Sequence, residues 1–128
     1  MIDPEKTILV VDDDHEVREV ALAVLEAAGY RVVAAASGDD AYGLLLAQPD
    51  LRVDVLFTDV VMPGRLDGID LASAARSLRP GLPVLYASGF PNLVRDRWDS
   101  APGEPVLRKP YRAGELCSAV MGLLDAGG

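Results

Sequence analysis

Thr7-Ile8-Leu9-Val10-Val11-Asp12-Asp13-Asp14 is the stretch on which the fold turns: five apolar or β-branched residues in an unbroken run, then three acids. A strand solvated on one face alternates apolar with polar residues. A run without alternation belongs to a strand covered on both faces, which is the condition of a parallel sheet. From His15 to Ala28 the period changes: Val17, Val20, Ala21, Val24, Leu25 and Ala28 recur at helical spacing, and Gly29 supplies the stop. The chain opens as a buried strand, an acidic turn and an amphipathic helix.

The alternation continues outward from there. Arg31 to Ala36 reads as a second strand, and Ser37-Gly38-Asp39-Asp40 brings turn and capping chemistry to a helix that carries Ala41, Leu44 and Leu45 and closes at Pro49. Val53 to Thr58 is a third strand, again ending in an acid, Asp59, before a Pro and Gly loop from Met62 to Gly68. A helix from about Ile69 to Leu78 ends at Pro80-Gly81, and the strand Pro83 to Ala87 follows, with Ser88 and Gly89 just past it. Between Pro91 and Trp98 only Leu93, Val94 and Trp98 offer an apolar face, so a helix there is weakly specified, and residues 99–105 are loop-like. A very short strand at Val106-Leu107 precedes Arg108-Lys109-Pro110, and a final helix from about Ala113 to Asp125 aligns Leu116, Ala119, Val120 and Leu123. Five strand signals separated by helical ones predict an α/β fold, a doubly wound five-stranded parallel sheet with helices on both faces.

A chain of 128 residues, half of them apolar, can build a real core but has no room for two full domains, so residues 1–128 read as a single domain with an ordered body from about 5 to 126. The formal net charge of −8 argues against a protein that grips phosphate backbones. Cys117 is the only cysteine, which precludes an internal disulfide, and its neighbours Leu116, Ala119 and Val120 make it a small buried hydrophobe on a helix. No apolar run is long enough to cross a bilayer and the first six residues lack a signal-peptide stretch, so a cytoplasmic chain is expected.

In an open parallel sheet, ligands bind beyond the carboxyl ends of the strands. Those ends carry Asp12, Asp13 and Asp14, then Asp59, Ser88 and Lys109. Taken one at a time, these residues are ordinary: three acids before a helix usually cap it, an acid before a Pro and Gly loop usually makes a turn, and a Ser or Lys at a strand end is usually solvated. Together, at one rim of one sheet, they supply metal ligands, a nucleophile, a hydroxyl and a cation. Gathered carboxylates repel unless a cation compensates, and Mg²⁺, a hard ion that takes oxygen ligands, is the natural one, with Mn²⁺ able to substitute. Asp12, Asp13 and Asp59 suit that role. Asp59 could then attack a phosphoryl group in line, with Ser88 donating to one phosphoryl oxygen, Lys109 neutralising another, and Gly89 leaving room. The chain has two lysines against ten arginines, so a lysine at this position is less easily dismissed. His15, at the start of the first helix, is assigned no role.

These residues resemble the receiver domain of two-component response regulators and hybrid histidine kinases, and the resemblance runs through nearly the whole chain. Val10-Val11-Asp12-Asp13 matches the family's strand with its acidic pair. Asp59 to Gly68 matches the phosphoacceptor and its Met-Pro-Gly type loop, Ser88 the hydroxyl position, and Lys109-Pro110 the Lys-Pro dipeptide. The resemblance implies a flavodoxin-like sheet of order 2-1-3-4-5, Asp13 and Asp59 as direct metal ligands, the Val61 carbonyl as a third, and Asp12 acting mainly through water. It implies phosphotransfer from a histidine kinase or phosphotransfer protein onto Asp59, a switch that controls a downstream protein, and no turnover enzyme. Three positions depart from the pattern. The loop from Met62 to Gly68 is one residue longer than the commonest form; Val106 stands where many members carry a switching Tyr or Phe; and Gly89-Phe90-Pro91-Asn92 is poor in helix formers, so the helix after the fourth strand is expected to be short, displaced or mobile. Val61 and Phe90, apolar and each two residues past a reactive group, predict slow loss of phosphate.

Two other readings use the same rim. A haloacid-dehalogenase-like phosphatase would need Asp12-Asp13-Asp14 as its nucleophile motif, but Glu16 stands where that motif wants Thr or Val, and no acidic pair follows Lys109. An unphosphorylated docking module would need the acids to be structural only.

Overall fold

The computed structural model describes residues 6–89 and 105–127. The strands are β1 (Thr7–Val11), β2 (Arg31–Ala35), β3 (Val55–Asp59), β4 (Val84–Ser88) and β5 (Val106–Arg108). The helices are α1 (His15–Ala27), α2 (Gly38–Ala47), α3 (Gly68–Leu78) and, as α4, the helix Ala113–Gly127. All pairings are parallel and the order is β2-β1-β3-β4-β5, as the resemblance implies. No helix among the described residues is long and apolar enough to cross a membrane. The expected helix over 91–98 lies outside the described residues.

The strands lack polar alternation because each face of the sheet carries its own core. On one side Leu9, Val11, Leu56, Val84 and Tyr86 pack with Ala41 and Leu45 of α2 and with Leu71 and Ala75 of α3. On the other, Ile8, Val10, Val55, Phe57 and Leu85 pack with Ala21 and Leu25 of α1 and with Leu116 and Val120 of α4. Ile8, Leu9, Val10 and Val11 of β1 enter opposite cores in turn, so all four are apolar. Two sequence expectations are adjusted here. Val20, placed in the apolar stripe of α1, is 59% exposed. Cys117 is only partly buried, because α4 turns it to the margin of the core that Leu116 and Val120 enter.

Strand ends differ from the sequence expectation by a residue, and each difference matters. Asp59 and Ser88 are the last residues of β3 and β4 rather than the first beyond them, since the ladder continues through Asp59↔Ala87 and Ser88↔Arg108. Both side chains are thereby held by sheet backbone and not by a loop. Gly68 opens α3 against the back of the same strand: a Cβ there would overlap the carbonyl oxygen of Asp59 and stand 2.9 Å from Val60 Cα. Backbone cannot yield as a side chain does, so Gly68→Ala is expected to cost about 2–3 kcal/mol, near the upper end for overpacking. Urea unfolding measures this, and an unchanged midpoint would show that the contact is looser than described.

Candidate functional site

Asp12, immediately past β1, is 5% exposed. Its backbone N–H donates to Ala35 O at 3.3 Å, its Oδ1 accepts from Asp14 N at 2.9 Å, and its Oδ2 accepts from Lys109 Nζ at 2.9 Å. Asp14 is the N-cap of α1, taking the N–H groups of Glu16 at 3.0 Å and Val17 at 3.2 Å. Of the three acids it is Asp14 that satisfies the helix end, which leaves the carboxylates of Asp12 and Asp13 at the rim. Arg18 fastens this turn by donating from Nη1 to Asp12 O at 2.8 Å, and its Nη2 meets His15 Nδ1 at 3.1 Å.

Asp59, 8% exposed at the end of β3, accepts from Lys109 Nζ through Oδ2 at 3.1 Å. Oxygens of Asp12, Asp13 and Asp59 lie within 4.8 Å of one another, although the chain separates the first two from the third by more than forty residues. The single ammonium of Lys109 bridges two of the three. Burial pushes the Asp59 carboxyl above the ordinary carboxylate range; Lys109 opposes this, and the charges of Asp12 and Asp13 add to it. Burial alone would pull Lys109 down, but its bonds to Asp12 and Asp59 outweigh that and raise it, so it stays an ammonium at neutral pH. Three acids against one cation leave negative charge uncompensated in a half-buried notch. Oxygen ligands at this spacing and with this charge fit a hard divalent cation.

Ser88, 1% exposed, ends β4 beside this notch, and its carbonyl accepts from Lys109 N at 2.9 Å, so the two residues are tied through the backbone. Gly89 follows, and a Cβ on it would meet no described atom within 4 Å. Val61 is 71% exposed in the loop after Asp59; Phe90 lies outside the described residues. Val106 is half-buried and stands opposite Tyr86 in the β4–β5 register. Tyr86 is 1% exposed and shares a core with Val106, so the aromatic missing from β5 has a neighbour on β4.

Two residues of the site escaped the sequence reading. Tyr111 packs edge-on to Phe57, with ring centroids 5.5 Å apart at 70°. Its hydroxyl pKa is pushed up to about 12 by burial first and then by Asp12 and Asp59, with Lys109 opposing. Its place two residues after Lys109 was the available signal. The other is Asp39 of α2, whose carboxylate accepts from the backbone of Arg65 and Leu66 in the loop after Asp59.

A five-stranded sheet of this order, with acids and a lysine gathered at its carboxyl edge, defines a receiver-type signalling module. Residues 8–121 match the response regulator receiver domain. The chain is 34% identical over 122 residues to the response regulator receiver protein CpdR of Brucella abortus, covering 94% of this chain and 98% of that one. It is similar to the crystal structure of a response regulator receiver protein from Sinorhizobium medicae, with a TM-score of 0.86, 31% identity, and 97% and 98% of the two chains covered. It is also similar to the response regulator TrrA of Thermotoga maritima in complex with Mg²⁺ and BeF, with a TM-score of 0.80, 26% identity, and 93% and 99% covered. The chain belongs to the response regulator receiver domain family. It is a receiver domain of a two-component system, a regulatory switch that works with histidine kinases or phosphotransfer proteins.

Proposed function

We propose that Asp59 is the phosphoacceptor, and that a histidine kinase or phosphotransfer protein in the cytoplasm supplies the phosphoryl group. The observation that carries this reading is the Lys109 ammonium shared between Asp12 and Asp59 inside the acid cluster. A carboxylate oxygen of Asp59 forms the new O–P bond as the donor N–P bond breaks, and the electron pair leaves on the donor imidazole. Lys109, already 3.1 Å from Asp59, offers its charge to an equatorial phosphoryl oxygen. The Ser88 hydroxyl donates to another. Mg²⁺, or Mn²⁺ in its place, held by Asp13, Asp59, the Val61 carbonyl and, through water, Asp12, would offset the negative charge that gathers as the phosphoryl group arrives. The geometry of the acid cluster and the Mg²⁺ and BeF bound by TrrA support this assignment. The domain is a phosphoacceptor that switches a downstream protein and does not turn over a substrate. The test is incubation with a small phosphodonor and Mg²⁺, followed by mass spectrometry of the acyl phosphate; modification mapping elsewhere than Asp59 would overturn the assignment.

The same reading assigns Ser88 to the switch. Drawn toward the phosphoryl oxygens, Ser88 pulls on the end of β4 and, through its carbonyl, on Lys109 and β5. Ser88→Ala is therefore expected to accept phosphate yet lose most of the amide chemical-shift response over Val106–Arg108. A full response in the variant would remove Ser88 from the switch.

A further inference from the structure

The loop that leaves Asp59 is fastened at several points before α3 begins. Val60 is 2% exposed, and its carbonyl accepts from Gly68 N at 2.8 Å. Met62 is sunk into the α2–α3 core, and Asp67 closes the loop with a capping box to Asp70. Between these anchors the loop swings against the first turn of α2. There the Asp39 carboxylate accepts from both Arg65 N, at 3.2 Å to Oδ2, and Leu66 N, at 3.1 Å to Oδ1.

Two glycines make this approach possible, on different elements. Gly64 has φ +105°, in the region that favours glycine, and a Cβ on it would stand 2.9 Å from Asp39 Oδ2. Gly38, the first residue of α2, would drive a Cβ into the Leu66 carbonyl oxygen and to 3.0 Å from Leu66 Cβ. Asp39, Gly38 and Gly64 are thus three positions on two elements that serve one contact. The neighbouring Asp40 carries the same charge in the same helical turn, and there the Ser37 hydroxyl caps its backbone N–H at 3.0 Å.

We propose that Asp39 is a positioning residue for the acid site, clamping the loop after Asp59 so that Val61 and Asp59 hold their places around the cation. The inference rests on the function proposed above. A two-oxygen clamp on consecutive amides fixes both the position and the tilt of that backbone, as an outer-shell partner does for a metal ligand. Loss of such partners typically weakens metal binding by about tenfold or more.

The test compares Asp39→Ala, Asp39→Asn and Asp40→Ala, each removing one negative charge from the same helix end. Amide hydrogen exchange in metal-free protein reads the clamp directly, and Mg²⁺ titration followed by amide chemical shifts reads its consequence. In Asp39→Ala the Arg65 and Leu66 amides are expected to exchange faster and the Mg²⁺ Kd to rise about tenfold. Asp39→Asn, which keeps one acceptor oxygen, is expected to fall between, and Asp40→Ala to leave both readouts unchanged. Faster exchange in Asp39→Ala with an unaltered Kd, or an equal loss in Asp40→Ala, overturns the positioning role. Wild-type protein with no saturable Mg²⁺ response would overturn the proposed site itself, and with it this inference.

Discussion

Asp59→Asn is expected to abolish phosphorylation by a small phosphodonor while raising the melting temperature of the metal-free protein. The first effect follows from chemistry, since a carboxamide oxygen does not make a stable acyl phosphate under these conditions. The second follows from electrostatics. Burial, together with the Asp12 and Asp13 charges, raises the Asp59 pKa in the fold, so the folded state binds this proton more tightly than the unfolded chain does. Ionised Asp59 therefore destabilises the fold. Its cost appears as pH rises from the ordinary carboxylate pKa through the raised one, and it is present in full above both. Asn keeps the shape and removes the charge, and Lys109 retains Asp12 at 2.9 Å as its partner. At this chain length about 1 kcal/mol corresponds to roughly 4 °C in Tm. Thermal melts at neutral pH without metal should show the variant above wild type, with the gap closing as Mg²⁺ is added. A variant that melts lower under metal-free conditions would mean that the three carboxylates are adequately compensated.

Lys109→Met should produce the largest loss of stability, together with a large but incomplete loss of function. Met keeps an unbranched apolar stem of similar length but removes the one cation between two carboxylates, whose side chains are only 6% and 10% exposed. Breaking a buried pair from one side costs about 3–5 kcal/mol. The 22% exposure of Lys109 places the expected loss at the low end, about 3 kcal/mol. Phosphorylation should slow by about 10²–10³, the effect of removing one preorganised electrostatic donor. The double variant Asp59→Asn with Lys109→Met separates charge from packing. If charge dominates, the double variant recovers at least about 1 kcal/mol relative to additivity in denaturant unfolding. Strict additivity would indicate that the Lys109 stem, and not its ammonium, supports the fold.

Much of this arrangement was legible without coordinates, for identifiable reasons. Strands buried on both faces advertise themselves as unbroken runs, so β1, β3 and β4 stood out, and acids at strand ends pointed to one rim. Lys109 was conspicuous because lysine is scarce in the chain. Contacts that depend on which way a side chain turns were not legible. Three consecutive aspartates look alike in the chain, yet Asp14 caps α1, Asp12 meets Lys109, and Asp13 stays exposed. Val20 fits the helical period of α1 but misses the core, because the stripe is broader than the surface that covers it. Asp39 reads as an ordinary first-turn acid, and only the path of a loop 26 residues further on turns it into a clamp.

By itself the sequence determined the order of strands and helices, the two-faced burial of the sheet, and the edge at which acid, hydroxyl and ammonium collect. Those features follow from local periodicity and from the direction every parallel strand must share. The tertiary structure alone decided which oxygens the Lys109 ammonium bridges, how near the third carboxylate stands, and which helix restrains the loop beside Asp59. Distances of a few ångströms between remote segments depend on packing of the whole, and no local pattern encodes them.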